Sequence, residues 1–161
     1  MLKYSDITKR FIEFRREQDD YWEHLRKAAY QLLKDLQVSL DLPSQSWTDE
    51  KGTLFNYVDI GLVKNGEFKR VHPMEFENDE LRYKFAIRIT LEESPNDLSK
   101  SFFTQQVTLF SNNGVIAVAL HTSDHETVFN VPTEVVDGQF AQVAEAIKQN
   151  LMGKLTLKVS G

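Results

Sequence analysis

LRYKFAIRITL, residues 81–91, alternates without a break. Leu81, Tyr83, Phe85, Ile87, Ile89 and Leu91 fall on one side; Arg82, Lys84, Ala86, Arg88 and Thr90 fall on the other. Successive side chains of a strand point to opposite faces, so this period of two predicts one face on a core and one in water. That contrast belongs to antiparallel sheets; strands buried in parallel sheets read as continuous apolar runs. The stretch therefore sets the fold class, and its neighbours follow from it.

Downstream, residues 92–100 are a polar connector containing Pro95. Phe102–Ser111 and Val115–His121 read as strands around Asn113-Gly114, a pair suited to the positive φ angles of a tight hairpin. Val115–Leu120 does not alternate, which predicts a central strand covered on both faces. A turn over Thr122–Glu126 and a short strand over Thr127–Val131 follow. Upstream, Thr53–Val63 and Phe68–Phe76 form a hairpin about Asn65-Gly66. A second turn over Glu77–Glu80, centred on Asn78-Asp79, leads into Leu81. These two registers put Val71 and Met74 on opposite faces. A one-residue insertion restores both to the core, and it is predicted at His72-Pro73, because proline cannot donate to the ladder.

Helical periodicity brackets the sheet. Ile7, Phe11, Phe14, Gln18, Tyr21, Leu25, Ala28 and Leu32 recur at steps of four and three, one face of a helix. Ser5 is its expected N-cap, Gln18-Asp19-Asp20 is its weakest stretch, and it ends between Gln37 and Pro43. Near the other end, Asp137 is read as the cap of a helix whose buried face is Phe140, Val143, Ala144, Ile147 and Leu151. Gly153 is its expected terminator, and Leu155, Leu157 and Val159 its following strand. The expected fold is α+β in one domain over 1–161. A long helix spans 1–42 and a mainly antiparallel meander of six to seven strands spans 53–131. A helix over 137–152 packs on one sheet face against Val107, Leu109, Val118 and Leu120, and a short final strand covers 154–160.

Composition narrows the function. The chain of 161 residues is 41% hydrophobic and 27% charged, an ordinary globular balance. Its net charge of −5 disfavours nucleic acid and anionic membranes as partners. With no cysteine there is no disulfide, thiolate metal site or thiol nucleophile, and a reducing cytoplasm is the expected compartment. The first residues lack the basic flank and apolar run of a signal peptide. The uncharged run Ser101–Ser123 is interrupted by Gln105, Gln106, Asn112, Asn113 and Gly114, so it reads as strands and not as a membrane span.

Chemistry-bearing patterns are sparse. No serine sits in a Gly-x-Ser-x-Gly elbow and no Gly-rich phosphate loop occurs. His121 and His125 flank a turn without a third histidine nearby; polar residues are ordinary in turns. Glu13, Glu17, Asp20 and His24 share one face of a single helix, which reads as a solvated face with Glu23 and Lys27 as an ion pair. Extending the Lys64–Glu67 pairing sets Asp59 opposite His72, half of a general-base arrangement and equally an ordinary strand pair. No catalytic residue, metal or cofactor is assigned.

The expectation is a non-enzymatic protein-binding module, an inhibitor, immunity-like or chaperone-like adaptor. Its binding residues would be Phe11, Phe14 and Tyr21 on the helix and Arg70, Arg82, Lys84 and Arg88 on a basic sheet face. Replacing Arg82 and Arg88 by Glu is expected to abolish binding and leave the melting temperature nearly unchanged. The partner is another protein or a second copy. The alternative is a small enzyme or ligand-binding protein, with a pocket between the sheet and the C-terminal helix and Asp59/His72 or His121/His125 as its site.

Overall fold

The structure, a computed structural model, describes residues 1–72 and 76–156. Its first element, α1 (Tyr4–Leu40, 37 residues), runs unbroken through Gln18-Asp19-Asp20. At 1.5 Å per residue it is about 55 Å long. Lys3, and not Ser5, occupies the N-cap position, and the Asp6 carboxylate accepts the Lys3 backbone N–H at 2.9 Å. A carboxylate there also complements the positive end of the helix dipole. Asp41, with φ 49°, closes the helix in the left-handed region just before Leu42-Pro43, where the sequence predicts the end.

Two short strands, β1 (Ser46–Thr48) and β2 (Leu54–Asn56), pair only with each other. The next seven are β3 (Val58–Lys64), β4 (Glu67–Arg70), β5 (Glu77–Asp79), β6 (Arg82–Leu91), β7 (Ser101–Asn112), β8 (Val115–His121) and β9 (Glu126–Pro132). They form one antiparallel sheet in the order β4-β3-β6-β7-β8-β9, with β5 beside β6 beyond the end of β3. The strand expected over Thr53–Val63 is divided at Tyr57, and the one expected to reach Phe76 stops at Arg70.

Asn65-Gly66 and Asn113-Gly114 make the predicted turns, with φ 53° and 77°, and 48° and 84°. The third turn does not fall at Asn78-Asp79. Glu80 and Leu81 carry its positive φ angles, 49° and 64°, and Asp79 pairs with Arg82. The later turn lets residues 77–79 join the ladder. A turn centre displaced by two residues leaves Phe76 on the same face. Phe76 accordingly lies in the core, 4% exposed and stacked on Phe85 at 5.3 Å. The predicted bulge at Pro73 and the core position of Met74 lie outside the described residues, as do Leu157 and Val159 of the expected final strand.

The last described helix, α2 (Ala141–Lys154), contains Gly153 within its span, so that glycine does not terminate it. Nor does Asp137 cap it. That carboxylate takes Lys34 Nζ at 3.0 Å and Gln31 Nε2 at 3.2 Å. Asp35 of α1 instead holds the turn that leads into the helix: it accepts the backbone N–H groups of Gly138 at 2.9 Å and Phe140 at 3.0 Å.

Both helices bury their apolar faces on the same side of the sheet. Leu25, Leu32 and Leu36 of α1, Phe140 just before α2, and Ile147 and Leu151 of α2 enter one core with Val58, Ile60, Phe85, Ile87, Val107, Leu109, Val118 and Leu120. The predicted packing of the C-terminal helix is thus present. In β8, Ala117 and Ala119 on the opposite face are also fully buried, as its lack of alternation predicts. Among the described residues no helix is long and apolar enough to cross a membrane.

Candidate functional site

Three features stand apart from the core: the first half of α1, the arginine-rich outer face of the sheet, and a polar recess on that same face.

On α1 the first buried residue is Leu25. Ile7 precedes it by about five helical turns at 3.6 residues each, so it points to the same side. Ile7, Phe11 and Phe14 are 56%, 54% and 45% exposed. With Leu2, Asp6 and Arg10 they border an apolar groove of about 410 Å³. Tyr21 does not belong to this free stretch. Its hydroxyl donates to the Leu81 carbonyl and accepts the Ser111 N–H at 3.2 Å, tying the helix to two hairpin ends. The acidic face behaves as expected, since exposed Glu13 and Glu17 pair with Arg10 at 3.8 and 3.1 Å. Glu23 pairs with Arg26, at 3.1 Å.

The outer sheet face carries Arg70, Arg82, Lys84 and Arg88 as the strand alternation predicts. Their roles differ. Arg88 stands opposite Asp59 across β3 and β6. Its guanidinium lies over the rings of Phe102 at 4.3 Å and Phe68 at 4.8 Å, and its side chain is 16% exposed. Phe68 reaches this position because Gly61 leaves room: a Cβ there would sit 2.1 Å from the Lys69 carbonyl oxygen and 3.0 Å from the Phe68 ring. Burial lowers the Arg88 pKa, and Asp59 partly offsets that by favouring the cation. Arg88 is therefore largely buried among Asp59, Phe68 and Phe102. Arg70 is more open, 57% exposed, with Nε 3.7 Å from Asp59 Oδ1. Arg82 is exposed and lies over the Phe110 ring at 4.6 Å.

Asp59 itself is 3% exposed and accepts Asn56 Nδ2 at 3.1 Å. Strand pairing ends at Gly61–Arg70, short of the expected Asp59–His72 position, and His72 is exposed beyond the end of β4. Both residues border a recess of about 510 Å³ at the sheet edge, with Tyr30 and Leu33 of α1 as its apolar wall.

His121 and His125 take different partners. His125 Nδ1 meets Thr122 Oγ1 at 3.1 Å within the turn. His121 lies between Glu126 Oε2, 3.2 Å from Nδ1, and Thr108 Oγ1, 2.8 Å from Nε2. This hydroxyl–imidazole–carboxylate chain opens on a recess of about 520 Å³ also bordered by Arg82, Lys84, Ala86 and Gln106. It lies on the sheet face away from both helices, because Val107 and Leu109 take the core side of β7. Thr108 carries no motif, but the hairpin about Asn113-Gly114 places it diagonal to His121, since Gln106 pairs with His121. Among the described residues no cluster of three His, Cys, Asp or Glu side chains could hold a metal ion.

Part of the outer face is covered. Trp47 of β1 stacks on Phe55 at 4.8 Å, and its indole N–H donates to Thr90 Oγ1 at 3.2 Å. Lys100 lies over the Trp47 ring at 5.6 Å and bonds Glu92. Glu92 also accepts the Tyr57 hydroxyl at 2.9 Å. The Lys100 hydrogen bond holds the Glu92 carboxyl below its usual range against the opposing effect of burial, with Tyr57 adding to the shift.

No family model matches the chain, and no curated protein or solved structure matches it.

Proposed function

We propose that the chain is a non-enzymatic protein-binding module, of the inhibitor or adaptor kind. It docks through the first half of α1 and through Arg70, Arg82 and Lys84 on the outer sheet face. One observation carries the reading: an apolar row, Ile7, Phe11 and Phe14, continues the core-facing stripe of α1 past the edge of the sheet and stays about half exposed. Helix faces of that width are normally buried, and a large exposed apolar patch marks an interaction site. Amphipathic helices present such rows to partner grooves at i, i+3 and i+4 spacing.

The test is affinity capture from the source cells with three baits: the native chain, Phe11→Glu/Phe14→Glu and Arg70→Glu/Arg82→Glu. A protein recovered by the native bait and lost with either variant supports the reading. Identical recovery by all three rejects it.

A second reading rests on the Thr108–His121–Glu126 chain. In the tautomer that donates from Nδ1 to Glu126, Nε2 accepts from the Thr108 hydroxyl, the arrangement that activates a hydroxyl for acyl or phosphoryl transfer. Its recess lies within the volume range of small-molecule sites. Hydrolysis of small activated esters that His121→Gln abolishes would favour it; a rate equal to that of the variant rejects it.

A further inference from the structure

We infer that the first half of α1 pairs with the same segment of a second copy, antiparallel, as a two-fold dimer. This rests on the binding role proposed for that half-helix and names its occupant. Four observations converge on it.

The stripe itself is periodic. Ile7, Phe11, Phe14, Gln18, Tyr21 and Leu25 follow alternating steps of four and three, the seam of a two-helix coiled coil. The domain fills the seam from Tyr21 onward, through the Tyr21 hydrogen bonds and the burial of Leu25, Leu32 and Leu36. It leaves the seam empty from Ile7 to Gln18.

That occupancy fixes the orientation. A parallel second helix on the open seam would carry its own sheet to the same level and the same side as the first sheet, and the two would collide. An antiparallel helix instead ends where the first domain begins. Its N-terminus reaches Tyr21, and the two domains sit at opposite ends of the helix pair.

The register then follows from the seam. Antiparallel seams set one kind of seam position against the other. Phe11 meets Phe14 of the second copy, Phe14 meets Phe11, and Ile7 meets Gln18. The groove beside Leu2, Ile7, Phe11 and Phe14 accepts an incoming ring. This contact is self-complementary, as a two-fold interface must be.

Charge agrees with the same register. Arg10 and Glu17 lie on one flank of the seam and bond each other at 3.1 Å along a single chain. The antiparallel pairing sets Arg10 against Glu17 of the second copy twice over. The parallel pairing would set Arg10 against Arg15. Phe11 and Phe14 are each about half open, and an aromatic side chain buries about 150–250 Å². With Leu2, Tyr4 and Ile7, the two copies hide on the order of 1,000 Å², the lower end of a specific interface. Dissociation in the micromolar range is expected.

The test uses the purified full chain alone, so its outcome is separate from that of the capture experiment. Sedimentation should show the mass rising from 18.7 kDa towards twice that value as concentration rises. Phe11→Glu/Phe14→Glu should stay monomeric with unchanged far-UV circular dichroism. Arg10→Glu should raise the dissociation constant by about tenfold or more, as like charges oppose across the seam, and Arg10→Glu/Glu17→Arg should restore it. The chain has no native cysteine, so orientation can be read by oxidation. A mixture of Ile7→Cys and Gln18→Cys chains should cross-link as the mixed pair. A chain that remains at the monomer mass to millimolar concentration overturns the dimer. Preferential self-cross-linking of either cysteine variant overturns its orientation.

Discussion

Two carboxylates, each nearly hidden from water, show how single residues join elements distant in sequence. Asp35 Oδ1 accepts Gln31 Nε2 at 2.8 Å and the Gly138 N–H at 2.9 Å, while Oδ2 accepts the Phe140 N–H. A side chain of α1 thereby fixes the turn from which α2 starts. Asp35→Ala should cost about 2–3 kcal/mol, because it strands the Gly138 and Phe140 N–H groups. Urea titration checks this, and a loss below about 0.5 kcal/mol would show that water replaces the carboxylate. Asp59 is the second case. Its Oδ2 has no hydrogen bond and lies 3.6 Å from Arg88 Nη2, so Coulomb attraction holds the pair more than a directed bond does. Arg88→Glu should therefore destabilise the chain by about 3–5 kcal/mol, since it leaves a buried carboxylate facing a second one. The sequence-based expectation of an unchanged melting temperature should therefore fail at Arg88 and hold at Arg82, which is exposed and loses its contact with Phe110, about 1 kcal/mol or less. The same urea experiment on the two single variants separates them.

Elements were legible in proportion to how local their determinants are. Alternation over residues 81–91 and the turns at Asn65-Gly66 and Asn113-Gly114 depend on neighbours in sequence, and strand faces and both registers follow from them. The turn at Glu80-Leu81 escaped because neither residue is a habitual turn former: a non-glycine residue at positive φ is uncommon. The carboxylate that holds the entry to α2 escaped for the opposite reason, since Asp35 precedes the helix by about a hundred positions and Asp137 beside it offered a local carboxylate. Length left two outcomes for the helix, a break near Asp19-Asp20 or a first half in need of a partner, and the unbroken 37 residues with Phe11 and Phe14 exposed decide for the second. The tie of Tyr21 to Leu81 and Ser111, by contrast, is a tertiary event that periodicity cannot report. This division of α1 makes a prediction. No residue before Leu25 on the helix is buried, so a chain beginning at residue 18 should keep its far-UV and near-UV circular dichroism. Its unfolding free energy should stay within about 1 kcal/mol of the full chain measured under monomeric conditions, as for other changes at exposed positions. Loss of cooperative unfolding on this truncation would mean that the first half of α1 supports the domain.

At the scale of the whole molecule, three layers lie on one another: the two helices, the seven-stranded sheet, and the small β1–β2 cover. The layers differ in what holds them. The helix–sheet side is mainly apolar, with Phe140, Ile147, Leu32 and Leu109 fully buried, and its buried Gln105 accepts Asn150 Nδ2 of α2 at 2.9 Å. The cover is fastened by Trp47 on Phe55 and Phe102, by the Trp47–Thr90 hydrogen bond, and by the Tyr57–Glu92–Lys100 cluster at its hinge. Only the last of these fastenings titrates in acid. The Lys100 hydrogen bond and then the Tyr57 hydroxyl hold the folded Glu92 pKa below its model-compound value of 4.5, against burial. A carboxylate whose folded pKa is depressed contributes stability that is complete above the unfolded value and is lost as the pH falls through the folded one. Acid should therefore loosen the cover before it touches the apolar core. The chain has two tryptophans, Trp22 and Trp47. In a Trp22→Phe background, Trp47 emission should shift to the red below about pH 4.5, the unfolded reference for Glu92, while far-UV circular dichroism stays at its neutral value. Glu92→Gln cannot lose a charge there, so it should flatten that acid limb and show weaker Trp47 packing already at neutral pH. Coincident loss of Trp47 packing and helix signal on acidification, unaffected by Glu92→Gln, would show that cover and core unfold as one unit.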